Sequence, residues 1–559
     1  MAPQPGDQIT GDILSDGHGG AFVIWVDAQA GVNEHNVYLQ RIDGTGRIDW
    51  QIYRTTGRPV CTAPGRQFLV RLAPDGADGV IATWYDERGA SPDIYALHVM
   101  GDGTIVPSWP VDGVPVCTAS GTQTDPVIAH DGAGGAFIAW EDFRKGFSNG
   151  RIYAQRMLDI GVPANGWPAN GLQIAGGTGI EFQPAILPDS EGGAFIVWDR
   201  FWAAGSNTDI IATRITSSGS VAPGWPDSGL VICGAPGRQD APSIVPDGQG
   251  GFYTAWRDYR DETDFSDGGE ADIYCQRVTA LGGFPPGWGG DGIPVRVAPG
   301  DERIPKAAMD GAGGLLVSWE IALSGLPNVF VQRITAEGTV APGWDPAGVP
   351  TGTTIAEGQG PALVGDGSGG AIVAWDDYRP ATQVDVYAQH ITSGGTRAEG
   401  WPSSGLPIVT SPDNQQVGGG SALVSTVVGD GSGGAILAWI DWGSPGGADV
   451  VMQRITAGGA VGPSFCRGCD GIVNLSPNPS QGRFRLKVRG PGTGSSAVIR
   501  VYDIGGRLLR AKAFAGVPAL GMAEVELDLT DLAAGIYLLR YSAWGYPPVV
   551  GTRKLVFVR

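Results

Sequence analysis

The sequence predicts an all-β protein, an eight-bladed β-propeller of four-stranded antiparallel blades followed by a small antiparallel β-sandwich. Three observations carry this prediction. A phrase close to D-G-x-G-G-[AF]-x-x-x-W occurs eight times, beginning at Asp16, Asp75, Asp131, Asp189, Asp247, Asp310, Asp366 and Asp430. Two short β-rich apolar runs accompany each copy. The repeat then stops near Val473, and strands of a different texture follow.

The steps between copies are 59, 56, 58, 58, 63, 56 and 64 residues, a period that marks a repeat architecture. Each unit divides into four segments. The first is a short run that ends in the turn, as at Pro126–His130 and Pro242–Pro246. The second follows the D-G-x-G-G turn and reads AFVIW, AFIAW or AIVAW, closing on Trp25, Trp84, Trp140, Trp198, Trp256, Trp319, Trp375 or Trp439. The third reads VYLQRI, IYAQRM or VFVQRI. The fourth follows a Gly-containing turn and carries G-W-P around Trp50, Trp109, Trp167, Trp225, Trp288, Trp344 and Trp401, with Phe465 in the last slot.

Nearly continuous apolar runs rich in β-branched and aromatic residues read as strands covered on both faces. The D-G-x-G-G link suits a tight hairpin, in which Asp caps the turn and Gly takes positive φ. Such sheets bury both faces when stacked radially. A linear solenoid is the alternative, but no polar capping repeat stands at either end. The period exceeds that of WD40 or kelch units, and the repeat reads as a generic bacterial eight-repeat propeller. The first unit starts near Gln8 and the last ends near Val473, so each blade is expected to be contiguous. The predicted domains are residues 1–473 and 474–559.

The composition supports this reading. Gly (92) and Pro (41) make up about a quarter of the chain but fall in register with the hydrophobic runs, as turn residues do. The net charge of -20 argues against nucleic acid as a partner and allows a cation or a basic partner. No run of 18 apolar residues occurs, so no transmembrane helix is expected. The start, MAPQPGDQIT, has no basic and no apolar signal region; export would need a start that has been trimmed or replaced.

Cys61, Cys117 and Cys233 occupy one point of three repeats, too far apart to pair, and read with Cys275 as small buried hydrophobes. Cys466 and Cys469 form a CxxC with no second CxxC or His pair, which favours a local disulfide in an oxidising compartment.

Two residues after most repeated Trp comes an acid, often followed by Arg two places on: Asp86 and Arg88, Asp142 and Arg144, Asp258 and Arg260, Asp377 and Arg379. Recurrence in most blades favours a stitching role over a catalytic one. Departures from the repeat are therefore more informative. The blade-five loop RDYRDETDFSDGGEAD clusters carboxylates, and Asp261, Glu262, Asp264, Asp267 and Glu270 are candidate calcium ligands, with a solvated acidic loop as the alternative. The blade-four loop DRFWAAGSNTD carries Phe201 and Trp202 outside the repeat slots, and Trp442 is a weaker case in blade eight. Such aromatics can stack on a sugar, anchor a partner, or pack on a neighbouring blade.

No G-x-S-x-G, H-E-x-x-H or P-loop occurs, and the GDGSGG stretches are hairpin turns. No catalytic residue is assigned and no cofactor is expected beyond the calcium candidate.

Residues 474–559 alternate as strands around the Gly505–Gly506 turn. Ser476-Pro477-Asn478-Pro479 leads to Phe484, then Val501-Tyr502-Asp503 with Gly506, then Leu532 through Gly535-Ile536-Tyr537, and a basic final strand from Lys554 to Arg559. This stretch resembles the Ig-like C-terminal sorting domain of type IX secretion substrates. The resemblance implies export across an outer membrane by that machinery, then release or attachment at the cell surface.

The expected function is a secreted or cell-surface, non-catalytic binding protein that uses the loop-rich propeller face for a protein or glycan partner. The alternatives are a glycan-active hydrolase or lyase with paired carboxylates on that face, and a structural subunit of an extracellular assembly.

Overall fold

The computed structural model describes residues 6–29, 34–44, 48–50, 57–202, 207–261, 270–297, 300–323, 326–352, 358–378, 384–409, 414–417, 426–442 and 448–461, and beyond these the strand backbones between Phe465 and Phe557. The chain divides into two compact units, Gln4–Trp442 with Gly446–Ser464, and a second built mainly from Phe465–Arg559.

The first unit is the eight-bladed propeller. Seven sheets have four strands in chain order; in the eighth the inner strand is split into Gln415–Gln416 and Val427–Gly429. Blade three shows the pattern. Its strands are Gln123–His130, Ala136–Asp142, Arg151–Met157 and Leu172–Gln173, paired antiparallel from the inside outwards. The second strand is buried at all seven positions, as a sheet covered on both faces requires. The ring closes where Gln8 donates its amide to the Ala448 carbonyl at 2.7 Å.

In six blades the repeated Trp of the second strand stacks on the aromatic of the third, as Trp84 does on Tyr95 with centroids 6.3 Å apart; Ile211 and Val451 take that place in blades four and eight. The glycine that opens the fourth strand lets the chain pass over this indole. A Cβ on Gly171, at φ +82°, would lie 2.3 Å from the Trp140 ring.

Two boundaries differ from the sequence reading. The G-W-P tryptophans lie before the fourth strand, not in it: Trp109 precedes Val114–Cys117 and Trp225 precedes Leu230–Cys233. Their indole N–H groups reach out of the blade, Trp109 to the Asp159 carbonyl at 2.7 Å and Trp225 to that of Ala280 at 3.0 Å. The G-W-P turn is thus a blade-to-blade wedge. The inner strands also start earlier than the prolines suggested, at Gln123 and not Pro126. A β-bulge hides the continuity. Leu69, Asp125, Gln183, Ala241 and Ile304 occupy it with φ between +50° and +55°. All but Leu69 stand directly before a proline. Positive φ on non-glycine residues costs on the order of 1 kcal/mol or more each, and packing around the axis holds it in place.

Cys61, Cys117, Cys233 and Cys275 are buried free thiols, and burial pushes the first three up to about 12. This agrees with their reading as small hydrophobes.

In the second unit, antiparallel strands form two sheets, one of Ile472–Ser476, Arg483–Arg489 and Met522–Asp528, and one of Ser495–Asp503, Leu508–Val517, Gly535–Ala543 and Val549–Phe557.

Candidate functional site

The two ends of the propeller follow different rules. At the D-G-x-G-G end every blade repeats one network. The turn aspartate accepts, through Oδ1, the amides two and four residues on at 2.6–2.9 Å in all eight copies. Its Oδ2 meets a base from the third strand, as Asp131 meets Arg156 at 2.8 Å. The base also reaches the next blade; Arg156 donates to the Ser217 carbonyl and Arg454 closes the ring on the Gly44 carbonyl at 2.7 Å. In blades two and seven the base is His98 or His390.

The opposite end carries the chain links between blades and the loops after the second strand. One network recurs here as well. The acid two residues after the Trp accepts the indole N–H, as Asp86 does from Trp84 at 2.7 Å, and binds the following arginine. Arg88 lies over the Tyr95 ring at 3.9 Å and donates to the Asp112 carbonyl. Arg144 and Arg260 repeat this geometry. The aspartate–arginine pairs therefore stitch the blade.

The residue directly after the Trp does not repeat. It pairs across the ladder with an inner-strand residue just before the bulge, and together they ring the channel mouth. Ile9 with Val26 and Phe68 with Tyr85 are apolar or aromatic. Thr124 with Glu141, Phe182 with Asp199, Asp240 with Arg257, Arg303 with Glu320, and Asp376 bring charge. The mouth is thus apolar on one side and ionisable on the other.

Most of these acids hold the next blade. Glu141 accepts the Gln183 amide at 2.8 Å, Glu320 the Gly360 amide at 2.9 Å, and Asp376 the Val417 amide. Gln183 and Gly360 sit at the bulge of the next blade's inner strand, and Val417 directly follows the inner strand Gln415–Gln416. Asp199 breaks the series. The Ala241 amide it would take goes to the Gln183 side chain at 2.9 Å. Asp199 is 4% exposed, and its Oδ1 has no hydrogen-bond partner among the described residues. Burial, then the neighbouring Asp240 and Glu141 carboxylates, raise it well above the ordinary carboxylate range. Burial and then the Asp125 charge push Glu141 up to about 8, against the Gln183 amide. Asp240 is paired, to Arg257 at 2.7 Å and Arg238 at 2.5 Å.

Deeper in the channel, the slot after the bulge is small or neutral in most blades, as at Val127, Ala185, Ser243 and Ala362. It is Asp12 in blade one, Arg71 in blade two and Lys306 in blade six. Asp12 accepts the amides of Ile13 at 3.0 Å and Leu72 at 2.9 Å. Burial, then the Arg71 charge, lowers Lys306 to about 7, while Asp12 opposes the shift.

The loop residues singled out from the sequence lie elsewhere. Phe201 and Trp202 are half-buried. The Trp202 indole donates to Asp209 at 2.6 Å, and the Arg200 guanidinium lies 5.5 Å from its ring. Trp202 stands four residues after Trp198, the slot that Arg88 and Arg144 fill elsewhere. Trp442 is 45% exposed. Asp261 is exposed, and exposed Glu270 accepts the Gly300 amide at 3.1 Å. Glu262, Asp264 and Asp267 lie outside the described residues, as do Cys469 and the Cys466 side chain. Among the described residues no three His, Cys, Asp or Glu side chains are grouped to hold a metal ion. The ring at the mouth was missed from the sequence; the signal was the one slot beside each Trp that fails to repeat.

Residues 474–555 match the family described as the secretion system C-terminal sorting domain. The protein is therefore directed to the outside of the cell, secreted or held at the outer surface, and its C-terminal region engages secretion machinery. No helix among the described residues is long and apolar enough to cross a membrane. No curated protein matches the chain. Among solved structures it is similar to an endo-arabinase from Bacteroides thetaiotaomicron VPI-5482, at 11% identity over 50% of this chain and 95% of that one, TM-score 0.28. It is similar to the polysaccharide lyase Uly1 at 10% identity over 70% and 92%, TM-score 0.32, and to a eukaryotic initiation factor at 9% over 83% and 91%, TM-score 0.40. At these scores the likenesses carry no weight for activity.

Proposed function

We propose that the propeller is an extracellular, non-catalytic glycan-binding module whose ligand docks at the non-repeating channel mouth. The observation that carries this reading is the presence there of part-exposed aromatics, Phe68, Tyr85 and Phe182, together with the buried acids Asp199 and Asp240 and the part-exposed Arg257. Aromatic faces suit sugar rings, and convergent polar groups suit hydroxyls. Binding of the full chain to a panel of surface polysaccharides tests it. Phe68→Ala and Arg257→Ala should each weaken binding at least about tenfold, which is 1.4 kcal/mol; equal binding by both variants would sink the idea.

One observation favours a catalytic reading. A Glu141 carboxyl that holds its proton to about pH 8 could act as a general acid. Release of new reducing or unsaturated ends from a bound polysaccharide, lost in Glu141→Gln, would replace binding with turnover.

A further inference from the structure

Blade three adds a row of aromatic rings to the mouth. Its loop after the second strand, residues 144–150, closes through a short 3-10 turn at Phe147–Asn149. The Gly146 amide donates to the Phe143 carbonyl at 2.8 Å and the Asn149 amide to the Gly146 carbonyl at 2.9 Å. The turn sets the Phe147 ring 5.0 Å from that of Phe143, and the Phe143 ring lies 6.3 Å from that of Phe182, which belongs to the mouth. Gly150 permits this packing, since a Cβ there would lie 2.6 Å from the Phe143 ring. Arg151 holds the start of blade four beside the loop, donating to the carbonyls of Gly177 at 3.3 Å and of Gly179.

The row is covered in its middle and open at both ends. Phe143 is 8% exposed, Phe182 is part-exposed, and Phe147, at 73%, is the most exposed aromatic among the described residues. A lone exposed apolar side chain is ordinary. Phe147 is not alone, because two ring contacts join it to the mouth.

The surroundings of the row favour a sugar over a protein segment. Lys145, Ser148 and Asn149 on the loop and residues 176–178 of blade four are all exposed. A protein hot spot is rimmed by packed contacts that shut out water. A single ring among polar side chains and open backbone suits a sugar, which lays its C–H face on the ring and turns its hydroxyls to polar neighbours and water. Each ring-to-ring step is comparable to one pyranose unit, so the two open rings stand roughly two sugar units apart.

We propose that Phe147 is a second sugar-stacking subsite, which receives a glycan chain running outwards from the mouth over blade three and makes the protein prefer chains to short oligosaccharides. This rests on the glycan-binding reading of the mouth.

The test titrates the full chain with a disaccharide and a pentasaccharide from each of two series, neutral cello-oligosaccharides and acidic oligogalacturonates. In a series that binds, the pentasaccharide should bind at least about fivefold more tightly than the disaccharide. Phe147→Ala should erase that difference without weakening the disaccharide, and Phe147→Trp should keep it. The Phe147→Ala chain should melt with the parent, because the ring is exposed. A parent chain with no length preference, or a preference that survives in Phe147→Ala, overturns the subsite and leaves the mouth as the whole glycan site. Binding of none of the four sugars by the parent chain overturns the glycan reading and the subsite together.

Discussion

The two ends of the propeller are made from the same eight repeats, yet one end obeys the repeat and the other departs from it. At the D-G-x-G-G end, the turn aspartate serves two amides and a base in every blade, and the base bridges to the next blade in most. At the other end, the slot after each Trp runs Val26, Tyr85, Glu141, Asp199, Arg257, Glu320, Asp376 and Ile440. A side chain that closes a turn and staples a neighbour has one solution, so it recurs. A side chain at a channel mouth is free to differ in each blade, and difference is what a single, asymmetric ligand needs.

Two aspartates on one hairpin of blade four give the largest contrast. Asp189 accepts the amides of Glu191 and Gly193 and pairs with Arg214, all within 2.8 Å. Asp199, ten residues on, is equally buried, and its Oδ1 has no donor among the described residues. Asp189→Ala should cost about 3 kcal/mol or more in denaturant unfolding, because it removes the buried partner of Arg214 and the acceptor of two turn amides. Asp199→Asn should stay within about 0.5 kcal/mol of the parent, since burial already disfavours the charge that the nearly isosteric amide removes. Similar losses at both positions would erase the distinction between the ends.

The pH dependence of the two ends should have opposite signs. Glu141 is raised from 4.5 to about 8, so the folded protein holds an extra proton between those values. Its contribution is fully present below pH 4.5 and declines as the pH rises toward 8, at up to about 1.4 kcal/mol per pH unit. Asp75 and Asp366 shift the other way. Burial opposes their ionisation, but hydrogen bonds from His98 or His390 and from turn amides outweigh it. Their contribution is present above the ordinary carboxylate range and is lost as the pH falls through their lowered values. Glu141→Gln should flatten the decline of melting temperature between pH 5 and pH 8 and leave the acid limb unchanged. A parallel shift of the whole profile would show that Glu141 is not the group responsible.

The smallest expected effect concerns strain at the mouth. Ala241 sits at φ +55°. Ala241→Gly relieves that conformation but adds freedom to the unfolded chain, so a net gain of no more than about 1 kcal/mol is expected. A loss measured by the same unfolding curves would mean that the bulge is unstrained.

Much of the fold was legible in the sequence because it is periodic. Asp and Gly mark each hairpin, apolar β-branched runs mark each buried strand, and a constant spacing counts the blades. The bulged starts of the inner strands were hidden because a positive-φ residue before proline reads as a loop. Phe201, Trp202 and Trp442 were visible as departures from the repeat, while Glu141, Asp199 and Arg257 passed as ordinary loop charge beside the repeated Trp.

The sequence by itself determined the number of blades, the uniform end and the export signal of residues 474–555, since each rests on local spacing or on a contiguous motif. Only the tertiary structure decided which distant charges act on one another. Asp12, Arg71 and Lys306 are up to 294 residues apart (306 minus 12), and nothing local links them. Folding brings them within range of one another's charges, where burial and mutual charge, not spacing along the chain, set their chemistry.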